Sequence, residues 1–168
     1  FWAQRVSFSE AKQAWVMLGV TGPNEYENNI NNNWYTNLMA QWTLRYAAEA
    51  IDTARGLDLD ETDRLLAAMA FDEVAEGGSW AEVAERIPLP FDPERGVFLQ
   101  QDGFLDKELR AADTLDPAER PISHHWSWDR ILRSCFIKQA DVLQGMWVFE
   151  DRFDLDTLRR NFDFYEPM

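Results

Sequence analysis

The 168-residue chain has one cysteine, two histidines and eight glycines, and its Lys and Arg total only 16 against 30 Asp and Glu. A lone thiol, Cys135, cannot form a disulfide within the chain or supply a multi-cysteine zinc site. His124 and His125 are adjacent, so they do not readily face one metal, and no third ligand lies at a suitable spacing. The glycines form no phosphate-cradling loop of the Walker or Rossmann kind, and there is no Gly-x-Ser-x-Gly elbow. Ser123-His124 is sequence adjacency and not a catalytic triad. The net charge of −14 and a pI near 4.4 argue against nucleic acid or an anionic membrane as partner. No apolar run approaches the roughly 18 residues of a membrane helix, and no charged segment leads into an apolar signal-peptide core. The expectation is a soluble, cytoplasmic protein without a metal or organic cofactor.

What the chain does contain is apolar and aromatic mass: 46% hydrophobic residues, 14% aromatic, and eight tryptophans. That is enough for a core, and it excludes a disordered acidic tail. By length the chain is one domain. Its ends, Phe1-Trp2 and Pro167-Met168, read as cut from something larger, because natural termini are more often polar. The acidity is concentrated in the middle. Residues 57–119 hold 17 acids against five bases, whereas residues 1–56 and 120–168 are each within one charge of neutral. Such a run is ordinarily a solvated face.

The periodicity predicts a mainly α chain with a small β element. Residues 4–8 and 15–20 are short β-prone runs and predict a hairpin, followed by a loop at Gly22-Pro23. Met39, Trp42, Tyr46, Ala50 and Ala54 recur at spacings of three and four, predicting a helix from about Tyr35 to Arg55 with Gly56 as its stop. Asp60-Glu61 suits the start of the next helix. Ser79 with Glu82 reads as a capping box before a short helix to about Arg86, and Pro88, Pro90 and Pro93 then enforce a loop. Ile137, Ala140, Leu143 and Trp147 predict one further helix. Leu155, Leu158, Phe162 and Tyr165 predict another, capped by Asp154.

Two stretches are candidates for chemistry. Seven of the eight asparagines lie between Asn24 and Asn37, around Gly22-Pro23-Asn24-Glu25-Tyr26. Asparagine bonds nearby backbone, so one reading is a capping loop before the long helix. The other is a rigid turn holding Glu25 at a cavity mouth, with amides that donate and accept toward the hydroxyls of a polyol. The second stretch runs from His124-His125-Trp126-Ser127-Trp128-Asp129-Arg130 through Arg133 to Lys138-Gln139. Its tryptophans are either core or platforms for the CH face of a sugar. Arg130, Arg133 and Lys138 either attract an anion such as phosphate or form ordinary ion pairs.

These stretches resemble glycoside hydrolase family 65, the inverting disaccharide phosphorylases. The resemblance runs along the whole chain. It is carried by Phe1-Trp2 to Val6, by GVTGPNEYENNINNNWYTNLMA from Gly19 and by FLQQDGFLDKEL from Phe98. HWSWDRILRS and FIKQADVLQG between His125 and Gly145, and NFDFYEPM at the end, carry it further. GPNEYENN and NNNWYTN point within the family to members acting on maltose.

The resemblance implies that residues 1–168 are part of an (α/α)6-barrel catalytic domain. An N-terminal β-sandwich, an upstream Trp-Asp substrate motif and a C-terminal His-Ser-rich phosphate loop would lie outside the chain. It implies Glu25 as general acid and Lys138 and Gln139 as substrate-binding residues. The partners would be a disaccharide and phosphate, with phosphate as co-substrate and no other cofactor, and the full-length enzyme would be a homodimer. An inverting glycosidase needs a second carboxylate to activate water, whereas phosphate is already an anionic nucleophile, so one carboxylic acid suffices. Glu25 would then have to stay protonated near neutral pH, so burial or a nearby negative charge is expected around it.

Cys135 stands where proline is expected, and Ser123-His124 replaces a more usual Asn-Gln, but neither touches Glu25 or the Lys-Gln pair. Part of a ring of helices would expose an apolar flank, and the segment alone is expected to be inactive. Phosphorolysis of trehalose, kojibiose or nigerose, sugar hydrolysis, or an inactive helical segment needing a partner are the alternatives.

Overall fold

A computed structural model describes all 168 residues, which are mainly helical. The chain divides into two compact units. One comprises Phe1–Val16 with Leu38–Ile87, the other Met17–Asn37 with Pro88–Met168. No helix is long and apolar enough to cross a membrane.

In the first unit a helical turn, α1 (Trp2–Arg5), precedes the antiparallel strands β1 (Ser7–Ser9) and β2 (Ala14–Val16), in which Phe8 faces Trp15. The expected hairpin is therefore present but shorter than its β-prone residues. It stops after Val16 because the Met17 amide and carbonyl are taken by Asn32, through its side chain and its backbone N–H respectively. Most of the long helix α2 (Trp34–Leu57) belongs here. It runs through Gly56 instead of ending before it. The break falls at Asp58, which is extended and accepts from the Glu61 N–H to cap α3 (Leu59–Ala68).

The capping box at Ser79 does not form. Asp72 accepts from the Ala75 N–H, and the Glu76 carboxylate accepts from the Asp72 N–H, so the chain turns helical earlier. A π-helical segment, Glu73–Gly77, leads into α4 (Gly78–Arg86). Glu82 is thereby freed to accept from the Trp15 indole N–H and to pair with Arg86, while Arg86 covers the Phe8 ring.

The second unit carries the candidate site. Strands β3 (Phe91–Asp92) and β4 (Val97–Phe98) pair within the proline-marked loop. Short helices α5 (Ile122–His125) and α6 (Trp128–Arg133) precede α7 (Asp141–Val148) and α8 (Leu155–Tyr165). Asp154 caps α8 as expected, accepting from the Thr157 N–H at 2.8 Å. The helix expected from Ile137 begins only at Asp141, since Ile137–Ala140 is held non-helical by a bond from the Lys138 N–H to the Asn24 side chain.

Trp34, fully buried, packs on Phe98 and Phe153, and Tyr165 donates its hydroxyl to the Phe98 carbonyl at 2.7 Å. A second cluster joins Leu115, Ile122, Ile131, Cys135 and Phe136. The Cys135 thiol is buried there, so it behaves as a small apolar filler that also bonds the Arg110 backbone. Between α7 and α8 an apolar groove of about 440 Å³ is lined by Leu143, Met146, Trp147, Leu155, Leu158 and Phe162. Trp147 and Leu155 are each 78% exposed.

Candidate active site

The site is built on a loop, 19–33, laid against the strap 137–140 that enters α7. Asparagine does the building. Asn24, Asn32, Asn33 and Asn37 are all fully buried, and each makes at least one side-chain hydrogen bond within the chain, while Asn24 Nδ2 and Asn37 Oδ1 have no partner. Asn32 accepts from the Met17 N–H at 2.9 Å and donates to Asp102 at 2.7 Å. Asn37 donates to the Pro88 carbonyl. Asn33 Oδ1 accepts from the Thr36 N–H and hydroxyl, capping α2, while its Nδ2 donates to the Gln100 carbonyl and to Asp141. Asn29 and Asn32 also adopt left-handed backbone, which asparagine tolerates better than most residues. Of the two readings of the cluster, the structure supports the capping loop. These four amides do not face outward to a polyol.

Asn24 ties the loop to the strap. Its backbone N–H donates to Asp141 Oδ1 at 2.6 Å, and its Oδ1 accepts from the Lys138 N–H at 2.9 Å and from the Tyr26 N–H at 3.3 Å. The next residue, Glu25, turns outward and its carboxylate pairs with the Lys138 ammonium, 113 residues away in sequence. That bond raises the Lys138 pKa. Glu25 is not enclosed: its side chain is 65% exposed and its ion-pair partner is a cation. The expected burial or negative neighbour is therefore not met, because the chain buries Asn24 beneath the loop tip and leaves Glu25 at its crest. Gln139 is half-buried, and its side-chain oxygen is buried without a hydrogen-bond partner, as is the Asn24 side-chain nitrogen. The structure thus brings Glu25 and Lys138 into contact, with Gln139 beside them in sequence.

Sequence reasoning missed two acidic residues that shape this loop. Asp141 is 1% exposed, and burial pushes its carboxyl up to about 6, against the opposing bonds from Asn33 and Asn24. Glu27 is also buried and pairs with Lys107, whose ammonium also donates to the Leu132 and Ser134 carbonyls. The Arg130–Arg133 cluster, by contrast, resolves into ordinary ion pairs. Arg130 bonds Glu119 and lies over the Trp126 ring at 3.6 Å, and Arg133 bonds Asp129. His124 and His125 are exposed, and no group of three or more His, Cys, Asp or Glu is arranged to hold a metal ion.

The profile of the glycosyl hydrolase family 65 central catalytic domain matches residues 1–168. The chain belongs to glycosyl hydrolase family 65.

Within that family it is 51% identical, over its whole length, to a maltose phosphorylase from Bacillus subtilis. It is 30% identical over 99% of its length to a kojibiose phosphorylase from Halothermothrix orenii. Over 89% of its length it is 33% identical to an α,α-trehalose phosphorylase from Thermoanaerobacter brockii. A solved structure from the human microbiome, provisionally named a kojibiose phosphorylase, superposes over 99% of the chain with a TM-score of 0.84 at 31% identity. The chain spans about a fifth of the length of these relatives, between 19% and 22%. In this family 65 segment the loop and strap are tied by Asn24, Asp141 and Asn33.

The signal that could have singled out Asp141 is its place in FIKQADVLQG, three residues after Lys138.

Proposed function

We propose that the full-length protein carrying this chain catalyses inverting phosphorolysis of an α-linked glucose disaccharide, maltose foremost, giving β-glucose 1-phosphate and glucose. Glu25 donates its proton to the glycosidic oxygen while phosphate attacks the anomeric carbon from the opposite face. Phosphate supplies the nucleophile, so no second carboxylate is needed to activate water. Lys138 and Gln139 hold the substrate, and contact with the sugar replaces the Glu25–Lys138 pairing.

The observation that carries this reading is that an anchored loop and an anchored strap bring Glu25 and Lys138, 113 residues apart, to one place in a family 65 chain. The 51% identity favours maltose over the linkages named for the 30–33% relatives. In this reading residues 1–168 form part of an (α/α)6 barrel, and the apolar α7–α8 groove is where the rest of the ring packs. The assembly is a homodimer.

The test is Glu25→Gln in the full-length protein. Phosphorolysis of maltose should fall by at least about 10²-fold, the low end for a lost general acid; a near-wild-type rate removes Glu25 from the mechanism. The parent enzyme, assayed on maltose, trehalose, kojibiose and nigerose with and without phosphate, should release glucose from maltose only when phosphate is present. Equal release without phosphate would make it a hydrolase instead.

A further inference from the structure

We propose that Asp141 is the positioning residue for Glu25: its two carboxylate oxygens hold the loop from beneath, and so fix where the acid stands relative to Lys138. This rests on Glu25 being the general acid. Both oxygens are taken by donors belonging to the Glu25 loop, Oδ1 by the Asn24 N–H at 2.6 Å and Oδ2 by Asn33 Nδ2 at 2.7 Å. Asp141 is buried with both oxygens occupied, so it does not meet the reacting atoms.

The position demands two acceptors. The Asn24 donor is backbone and cannot change. Asn33 cannot turn its amide over, because its oxygen caps α2 through the Thr36 N–H and hydroxyl. An amide at 141 would therefore set one N–H against another. A buried carboxylate is costly unless its hydrogen bonds are made, and here both are made to the loop that bears the acid.

The tie is double. Asn24 also accepts from the Lys138 N–H, so one asparagine connects the residue before Glu25 both to Asp141 and to the residue that pairs with Glu25. The fit leaves no slack, since a Cβ on Gly22 would lie 2.4 Å from Asp141 Oδ2. Moving Asp141 moves the acid.

The experiment compares two substrates in the full-length enzyme. Maltose needs its leaving oxygen protonated, whereas α-glucosyl fluoride departs as fluoride and needs no proton from Glu25. With phosphate present, Asp141→Asn should slow maltose turnover by about 10²-fold while changing fluoride turnover by only a few-fold, with KM for maltose little altered. Both substrates report on the same folded molecules, so the ratio of rates does not depend on how much variant folds. If Asp141→Asn yields no folded enzyme, Asp141→Glu serves, because it keeps both acceptors but lifts the loop by one methylene and should shift the ratio in the same direction.

Equal losses on the two substrates, or no loss on either, would overturn the proposal. Glu25→Gln run alongside separates the two readings. If it leaves the ratio unchanged, Glu25 is not the acid. If it shifts the ratio and the Asp141 variants do not, the positioning role alone falls.

Discussion

Two glycine-to-alanine substitutions should move stability in opposite directions. Gly22 has no left-handed backbone, so alanine meets no conformational penalty there, and the loss of unfolded-state freedom alone would stabilise by about 0.4–1 kcal/mol. Its new methyl, however, would sit 2.4 Å from Asp141 Oδ2, 2.5 Å from Asn33 Nδ2 and 2.7 Å from Asn33 Cγ. Neither neighbour is a free side-chain end, because Asn33 and Asp141 are bonded to each other and to backbone. Overpacking of this kind costs about 1–3 kcal/mol, and prying apart a charge-assisted hydrogen bond adds about 1.5–3 kcal/mol. After the entropic gain, Gly22→Ala should destabilise by about 1.5–5.5 kcal/mol. Gly56 lies inside α2 with nothing within 4 Å of its would-be Cβ, so Gly56→Ala should stabilise by about 0.5–1 kcal/mol. Urea midpoints of the two variants against the parent decide the matter. A Gly22→Ala midpoint at or above that of the parent would refute the close packing of the loop on Asp141.

The Asp141 carboxyl also makes stability pH-dependent. Folding raises it from 3.8 to about 6, so between those values the folded state holds a proton that the unfolded chain has released. Its contribution therefore falls as pH rises through that window and is fully lost above about 6, by at most about 3 kcal/mol. Urea midpoints of the parent minus those of Asp141→Asn should accordingly decline from pH 4 to pH 7, and a flat difference would contradict this. Tyr165→Phe should cost about 1–2 kcal/mol by leaving the Phe98 carbonyl without its hydroxyl donor. An unchanged melting temperature would show that bond to be dispensable.

Helix content and the ends of some helices were legible in the residues. Asp154 and the Leu155–Tyr165 stripe specify α8 locally, because cap and periodicity agree within a dozen residues. The long α2 stripe was equally readable. Gly56 misled, because a glycine marks a stop only where left-handed backbone is required, and here Asp58 ends the helix. Ser79-Glu82 misled similarly, since a better cap at Asp72 started the helix earlier. Ile137 fitted the α7 period but was pulled out of it by the Asn24 bond to Lys138, a contact no local pattern encodes.

For the site, the sequence by itself supplied the parts: a charge-neutral segment rich in asparagine around Glu25, and a distant Lys138-Gln139. It also carried the family resemblance, because long motifs survive as strings of residues. Only the tertiary structure decided their arrangement. It put Glu25 on Lys138, turned four of the seven asparagines inward as scaffold, and made Asp141 the anchor of the loop. The reason is physical: each of these outcomes depends on hydrogen bonds between residues about 70 to 117 positions apart. Such bonds are worth making only when the intervening chain has folded and water has been excluded from them.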